Sequence, residues 1–565
     1  MNRLGLFIFN DKRGIVDKTV TLLLEEMKKY TTETIVVCKG GLTSDSRQLL
    51  KKYSKKIIVR KYEDFDFYAT REGLEYIGWN NIKKYDEVVI YNSTIGGPVF
   101  SFEEMFVEME KRVVDFWGIT KYYSKRNSYL KKYITYAEQP DYIQTYFYAI
   151  RKKMLQSYEF KKHWYPKTEP KNLYEAAGIH DAVFTKKFNE YGFVSDVYID
   201  TEKYRLVTEN PILWIPDILI NNFRCPIFLK ESILSNNYES SIKNTQGKTG
   251  RELLQVLKKR GYDIECLADF IIKNDYLYDI NKKYNLKKVF STEEKRGGDV
   301  ERNILLILNV KDVTLFKLLK DRIFGLSDVL DVCLITYEQN ELFEEYKKSG
   351  NLKVLLFNTE DIDIESEINK CLGEYEYIGY SVLQQNMGYQ FMLTELEKNR
   401  YMLDNMMYNK VYLDNIFEFL DNSPKLYGVL PFAYSRGFEN KIIDNIWTNN
   451  FAFIDKLADR LGHKALISKP TIEYAEGWFW CKKDIFVDYI NCIKEKFCDE
   501  CIEIHKKGLI AILFSIYCQN RGLYNIYSIT EENLIDEYSS IKYYFEKIAF
   551  KDIQDSYWKV IDKYK

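Results

Sequence analysis

The chain has 565 residues, room for about three to four domains at about 150 residues each, or fewer if they are large α/β units. Hydrophobic residues make up 46% and charged residues 29%, a globular balance that excludes a wholly disordered chain. With 82 Lys and Arg against 83 Asp and Glu the net charge is −1, which excludes a protein whose main task is coating nucleic acid, because phosphate neutralisation needs a net basic face.

In chain order, Leu4 to Phe9 reads as a strand, too short for a signal-peptide core and followed at once by Asp11, Lys12 and Arg13. Val20 to Tyr30 has helical apolar spacing, and Thr34 to Cys38 is again a strand before Gly40-Gly41. A helix over Ser46 to Tyr53, a strand over Lys56 to Val59 and a strand over Glu87 to Tyr91 continue the alternation. Such alternation predicts an α/β fold, a mostly parallel sheet with helices on both faces. Ligands of such sheets bind beyond the carboxyl ends of the strands. Asn10-Asp11, Tyr62 to Asp66 and Asn92-Ser93-Thr94 are therefore candidate site segments, the last one bent away by Gly96-Gly97-Pro98.

The pattern then returns at an offset of about 300 residues. Leu4 to Asn10 corresponds to Ile304 to Val310, Ile35 to Cys38 to Val332 to Ile335, and Tyr62 to Asp66 to Thr359 to Asp363. Tyr85 to Val89 corresponds to Tyr375 to Ile378, and Tyr146 to Leu155 to Gly477 to Phe486. The preserved order predicts a tandem pair of like-folded domains, residues 1–245 and 299–565, joined by a helical linker over 246–298.

No segment holds the roughly 18 uncharged apolar residues a membrane helix needs. The ten Cys lack framework spacing, so the expected location is a reducing cytoplasm. Basic clusters at Lys51-Lys52, Lys55-Lys56, Lys125-Arg126, Lys131-Lys132 and Arg151-Lys152-Lys153 are solvated helix faces or a contact with a diphosphate or an anionic membrane surface. Gly247-Lys248-Thr249 is not a phosphate loop, because Ile242 stands where that loop needs glycine. Cys498, Cys501 and His505 share a helical stretch with no second Cys pair, and the chain has no HExxH or GxSxG motif. Asn10 to Gly14 does not supply a dinucleotide fingerprint either.

The chain resembles the rhamnan synthesis protein F family of bacterial cell-surface polysaccharide glycosyltransferases. The likeness runs through Arg60 to Leu74, Tyr85 to Phe106, Asp115 to Gly118, Gln144 to Phe147, Phe160 with Trp164, and Asp181 to Gly192. It continues through Trp447 to Asn449, Leu457 to Gly462 and Gly477 to Trp480. The resemblance implies two GT-A-like, nucleotide-sugar-binding domains, Rossmann-like in wiring, the second degenerate in chemistry. It implies transfer of rhamnose from a dTDP-linked donor to a glycan; a lipid-linked glycan acceptor would put the protein at the inner face of the membrane, and the charge balance speaks for no nucleic acid partner.

Donor binding is expected at Asn10, Asp64, Asp66, Asn92, Ser93 and Thr94, which follow strand ends, and at Arg60, which matches the family's pattern; acceptor binding is expected at Trp117, Gln144 and Trp164, which lie in the matching segments. A family glutamate eleven residues before a glycine is here Asp181 before Gly192, preceded by His180. Asp181 is then the general base that takes the acceptor hydroxyl's proton, in a displacement that inverts the anomeric centre. On residue pattern alone, Asp181 also reads as the N-cap of a helix over Ala182 to Tyr191, where the helix end would hold it ionised. The family's Arg-x-Asn-x-Gly-x-Asp-Phe appears as Arg60 to Phe67 with Tyr62 and Asp64 in the Asn and Gly places, and its Asn-Asp-Ser appears as Asn92-Ser93-Thr94. Ser93 removes a carboxylate suited to Mg²⁺ or Mn²⁺, which leaves Asp64 or Asp66 as the carboxylates for a divalent metal, or basic side chains in its place. These losses motivate an alternative reading, a non-catalytic glycan-binding or scaffold protein. In the second copy Trp478, Trp480 and Tyr474 have faces suited to sugar stacking or to core packing.

Overall fold

The computed structural model describes residues 1–11, 13–61, 65–124, 129–234, 248–274, 286–298, 300–336, 341, 343–345, 353–356, 364–384, 392–423, 425–432, 439–461, 477–543 and 546–547. Its contacts divide the chain into two units, Met1–Ile271 and Ile272–Lys565.

The first unit is built on β1 (Arg3–Asn10), β2 (Glu33–Lys39), β3 (Lys56–Val59), β4 (Glu87–Asn92), β5 (Phe116–Gly118), β6 (Phe147–Arg151) and β7 (Ser195–Val197). Their order in the sheet is β7-β5-β6-β4-β1-β2-β3. β1 pairs in parallel with both β2 and β4, and β6 runs antiparallel between β4 and β5. β1 is an interior strand covered on both faces, which is why Leu4, Leu6, Phe7, Ile8 and Phe9 form an uninterrupted apolar run. The helix α1 (Lys18–Met27) starts where Asp17 accepts a hydrogen bond from the Val20 amide.

A second helix, α2 (Asp66–Ile77), turns Phe67, Ala69, Gly73 and Leu74 onto the sheet, where they join a core with Leu6, Ile8, Val37, Phe160 and Phe184. It lies close: a Cβ on Gly73 would stand 2.5 Å from Leu6 Cδ1 and 3.2 Å from Val37 Cγ2, both in the packed interior. Gly73→Val is expected to lower the unfolding free energy by about 1–3 kcal/mol through overpacking, read as a drop in the urea midpoint with an unchanged slope.

The second unit holds β8 (Lys287–Phe290), β9 (Ile304–Val310), β10 (Asp331–Thr336), β11 (Lys353–Leu356), β12 (Tyr377–Leu383), β13 (Leu426–Pro431), β14 (Phe479–Lys482) and β15 (Tyr524–Thr530). The sheet order is β8-β15-β13-β14-β12-β9-β10-β11. β14 runs antiparallel between β12 and β13, and β15 lies parallel to β13. Apart from the added edge strand β8, this is the first sheet's order and polarity. The duplication read from the sequence pattern is thus a duplication of topology, with β1, β2, β4 and β6 answered by β9, β10, β12 and β14. Trp478 and Trp480 are sealed in this core, Trp480 donating its indole N–H to the Met406 carbonyl at 2.8 Å, so neither offers a face to a sugar. Tyr474, Gly462 and residues 359–363 lie outside the described residues.

Candidate active site

The carboxyl ends of β1, β2 and β4 meet in one place. The Asn10 amide donates to Ser93 Oγ at 3.0 Å, Ser93 Oγ donates back to the Asn10 carbonyl at 3.3 Å, and the Ser93 amide donates to the Ile8 carbonyl. Ser93 therefore laces two strand ends together. Beside it Asn92 Nδ2 donates to Asp66 Oδ2 at 2.8 Å, while its own carbonyl accepts from the Thr94 amide and hydroxyl. Lys39, the last residue of β2, donates Nζ to Asp66 Oδ1 at 2.6 Å from a nearly buried position. Asp66 itself is 42% exposed at the start of α2. Arg60 turns to the Tyr68 carbonyl and to Glu72, which ties the end of β3 to α2. Asp64 lies outside the described residues.

These groups do not make a cation site. A hard dication needs several free oxygens. Both Asp66 oxygens are engaged by Lys39 and Asn92, and the Ser93 hydroxyl is taken by the Asn10 backbone. No group of three or more His, Cys, Asp or Glu suited to a metal occurs among the described residues. The charge beside Asp66 is the ammonium of Lys39.

Asp181 approaches from another part of the chain. The helix α3 (Tyr158–His163) is followed, after a short intervening helix, by a π-helical turn over Ala177–Asp181 that runs directly into α4 (Ala182–Glu190). Such single wide turns are frequent at functional sites because the extra residue re-aims a side chain. The N-cap expectation fails here: Asp181 has helical φ −62° and ψ −56° and makes no capping bond, since the turn before it is already helical. Its Oδ1 accepts from the Thr145 hydroxyl at 2.5 Å. Nor is Asp181 held ionised by a helix end. Withdrawal from water, and then the Asp66 carboxylate, push its pKa up to about 7 against the Thr145 hydroxyl. The side chain keeps 34% of its exposure, so water and solutes still reach it.

His180 does not face the crevice as a titrating group. It is buried, and its Nδ1 lies 2.6 Å from His163 Nε2, while His163 Nδ1 lies 3.2 Å from Lys187 Nζ. Burial, followed by the Lys187 charge, lowers the His180 pKa to about 3, and burial lowers His163 as well. Both rings are neutral. Lysine is a donor only, so His163 Nδ1 accepts, His163 Nε2 carries the proton and gives it to His180 Nδ1, and His180 Nε2–H is left 3.8 Å from Asp181 Oδ1. At that distance there is no hydrogen bond, and the chain of donors stops short of Asp181.

The three expected acceptor residues are interior. Trp117 is fully buried with its N–H on Glu87 at 2.8 Å, and Trp164 is stacked on Phe67 in the aromatic core. Gln144 spends its amide on Thr120 and Asn210. None presents a surface to a glycan. Sequence reasoning also missed Lys39, Thr145, His163 and Lys187. Lys39 was reachable by the strand-end rule that selects Asn10 and Asn92. Thr145 comes from 36 residues away from Asp181 and His163 from 17 away from His180, with no local signature.

At the comparable place in the second unit, α5 (Ile364–Cys371) follows β11, and α6 (Cys501–Lys507) is one of the helices between β14 and β15. There Glu365 and His505 close on each other at 3.0 Å, their side chains 3% and 0% exposed. Ser381, at the end of β12, spends its hydroxyl on Met406 Sδ.

A family model described as rhamnan synthesis protein F matches residues 34–506. No curated protein sequence matches the chain significantly. Among solved structures, the glycosyltransferase GlyE of Streptococcus pneumoniae TIGR4 is similar at 8% identity, over 70% of this chain and 90% of that one, with a TM-score of 0.25. The 4-diphosphocytidyl-2C-methyl-D-erythritol synthase of Anaerococcus prevotii DSM 20548 is similar at 16% identity, over 35% and 87%, with a TM-score of 0.23. A glucosyl-3-phosphoglycerate synthase from Mycobacterium tuberculosis, in complex with Mn²⁺ and uridine diphosphate, is similar at 10% identity over 27% and 58%, with a TM-score of 0.18. At these scores the likenesses carry no weight beside the strand order and the family match.

Proposed function

The chain belongs to the rhamnan synthesis protein F family, and from that premise we propose that it is a glycosyltransferase whose first unit moves a sugar, rhamnose from a dTDP-linked donor, onto a growing surface glycan. The single observation that carries the reading is Asp181: a water-accessible carboxyl re-aimed by a π-helical turn, held by Thr145 and electrostatically coupled to Asp66.

In this reading the donor occupies the crevice beyond β1, β2 and β4, with Asn10, Asn92 and Thr94 as its polar lining and Lys39 and Asp66 setting the charge. The acceptor hydroxyl gives its proton to Asp181 as its oxygen forms a bond to the anomeric carbon. The bond from that carbon to the diphosphate breaks on the opposite face, and the electron pair leaves with the nucleotide diphosphate. Lys39 supplies positive charge near the departing group. Direct displacement inverts the anomeric centre. The transfer is assigned to the first unit because Glu365 and His505, at the comparable place in the second, are paired with each other and closed off from solvent.

The pH dependence follows from Asp181. A base must be deprotonated, and this one is protonated below about pH 7, so kcat/KM is expected to rise with pH on a limb centred near 7 and to flatten above it. A profile already flat from pH 5 upward would remove Asp181 from the role. The experiment that tests the function itself is transfer of labelled sugar from dTDP-rhamnose to a glycan acceptor. Product formation by the wild type that disappears with Asp181→Asn is the expected result.

A further inference from the structure

A cavity of about 340 Å³ opens among α3, the 165–167 segment and α4. Lys162, Lys167 and Lys187 stand on its wall with Tyr158, Tyr165 and Tyr191, and Glu159 also lies there. Among the described residues no carboxylate forms an ion pair with any of the three lysines. Lys187 is held beside neutral His163 rather than beside an acid, and burial together with the charge of Lys162 lowers its pKa. Three ammonium groups face one wall carboxylate, Glu159, which pairs with none of them, and the positive excess of the hollow favours an anion. Lysines bind phosphate as mobile point charges, and charge-assisted hydrogen bonds are the strong ones. The volume lies at the small end of ligand pockets, and the exposed rings of Tyr158 and Tyr191 offer faces to a compact polar body. His163 and His180 form the partition between this hollow and Asp181.

We propose that this cavity is a second ligand site, for a phosphate monoester of a small polar molecule, built from the three lysines and the tyrosine rings. The site is separate from the crevice at Asp66, and it does not depend on any role for Asp181.

Isothermal titration of the full chain with glucose 1-phosphate at low ionic strength, with inorganic phosphate as competitor, tests it. The expected result is one glucose 1-phosphate per chain, displaced by phosphate and weakened by added salt. Lys162→Gln with Lys167→Gln should weaken it at least tenfold, while Lys39→Met, which removes the ammonium beside Asp66 in the crevice, leaves it unchanged. Lys187→Gln, which removes a different wall charge, should weaken it as well and serves if the double variant does not fold. Absence of binding would overturn the proposal, and so would affinity indifferent to the lysine variants. Loss of binding in Lys39→Met instead would put the phosphate in the crevice and overturn the second site while leaving the transferase reading intact.

Discussion

Asp181→Asn is expected to lower sugar transfer by about 10²–10⁴-fold, the range in which a positioned proton acceptor contributes. The substitution is nearly isosteric, and its amide oxygen can still accept from the Thr145 hydroxyl that now donates at 2.5 Å. Asparagine cannot take a proton from an acceptor hydroxyl, so the loss should fall on kcat with donor affinity preserved. Stability gives an independent check on the same residue. A carboxyl whose pKa is raised on folding favours the native state below its unfolded value, near 4, and that contribution is lost as pH rises through about 7. The neutral amide escapes that loss, so above pH 7 the variant should melt no lower than the wild type. A variant that is inactive because it is unfolded would fail this check, and one that is folded with full activity would remove Asp181 from the mechanism.

Glu87→Ala is expected to cost about 3–5 kcal/mol of stability, the penalty for stranding a partner of a buried ion pair. Arg3 and Glu87 stand opposite each other in register at the amino ends of β1 and β4, 2.6 Å apart with side chains 5% and 1% exposed. The second Glu87 oxygen accepts from Trp117 and from Arg151 at 3.3 Å. Removing the carboxylate leaves two guanidiniums and an indole N–H without it, deep in the sheet and at the opposite end from the crevice. Denaturant unfolding should show the loss in the midpoint. Glu87→Gln, which keeps an acceptor, should lose less. An unchanged midpoint for Glu87→Ala would mean that water or Glu110, which already holds Arg3 at 3.0 Å, takes over the neutralisation.

Much of the architecture is legible in the residue pattern. The uninterrupted apolar runs Leu4 to Phe9 and Ile304 to Leu308 mark central parallel strands, and their return in the same order marks the duplication. Strand-end logic brings Asn10, Asp66 and Asn92 to one crevice, since those segments follow β1, β3 and β4 and the sheet order makes them neighbours. Asp181 is legible only through its family spacing before Gly192. Its surroundings are not. A π-helical turn has no sequence signature, so Asp181 looks like a helix cap when it sits inside a continuous helical path. The histidine pair depends on two segments packed face to face, and local periodicity carries no information on that. Trp117 and Trp164 show the limit of reading aromatics: the same residue serves as a sugar platform or as core, and only burial decides. Ser93 is similar, a polar strand-end residue whose hydroxyl the backbone of Asn10 already uses.

Titration of the full chain with dTDP-rhamnose, followed by thermal unfolding and set beside other nucleotide sugars, tests the central claim most directly. A donor bound by the native state alone raises the unfolding free energy by about 2.7 kcal/mol at a hundred times its dissociation constant. The account predicts such a rise with dTDP-rhamnose and without added metal. It should persist in Asp181→Asn and shrink in Lys39→Met, which strips the crevice of its cation. No shift with any nucleotide sugar at millimolar concentration, with or without Mg²⁺ or Mn²⁺, would contradict it and favour a glycan-binding or scaffold protein.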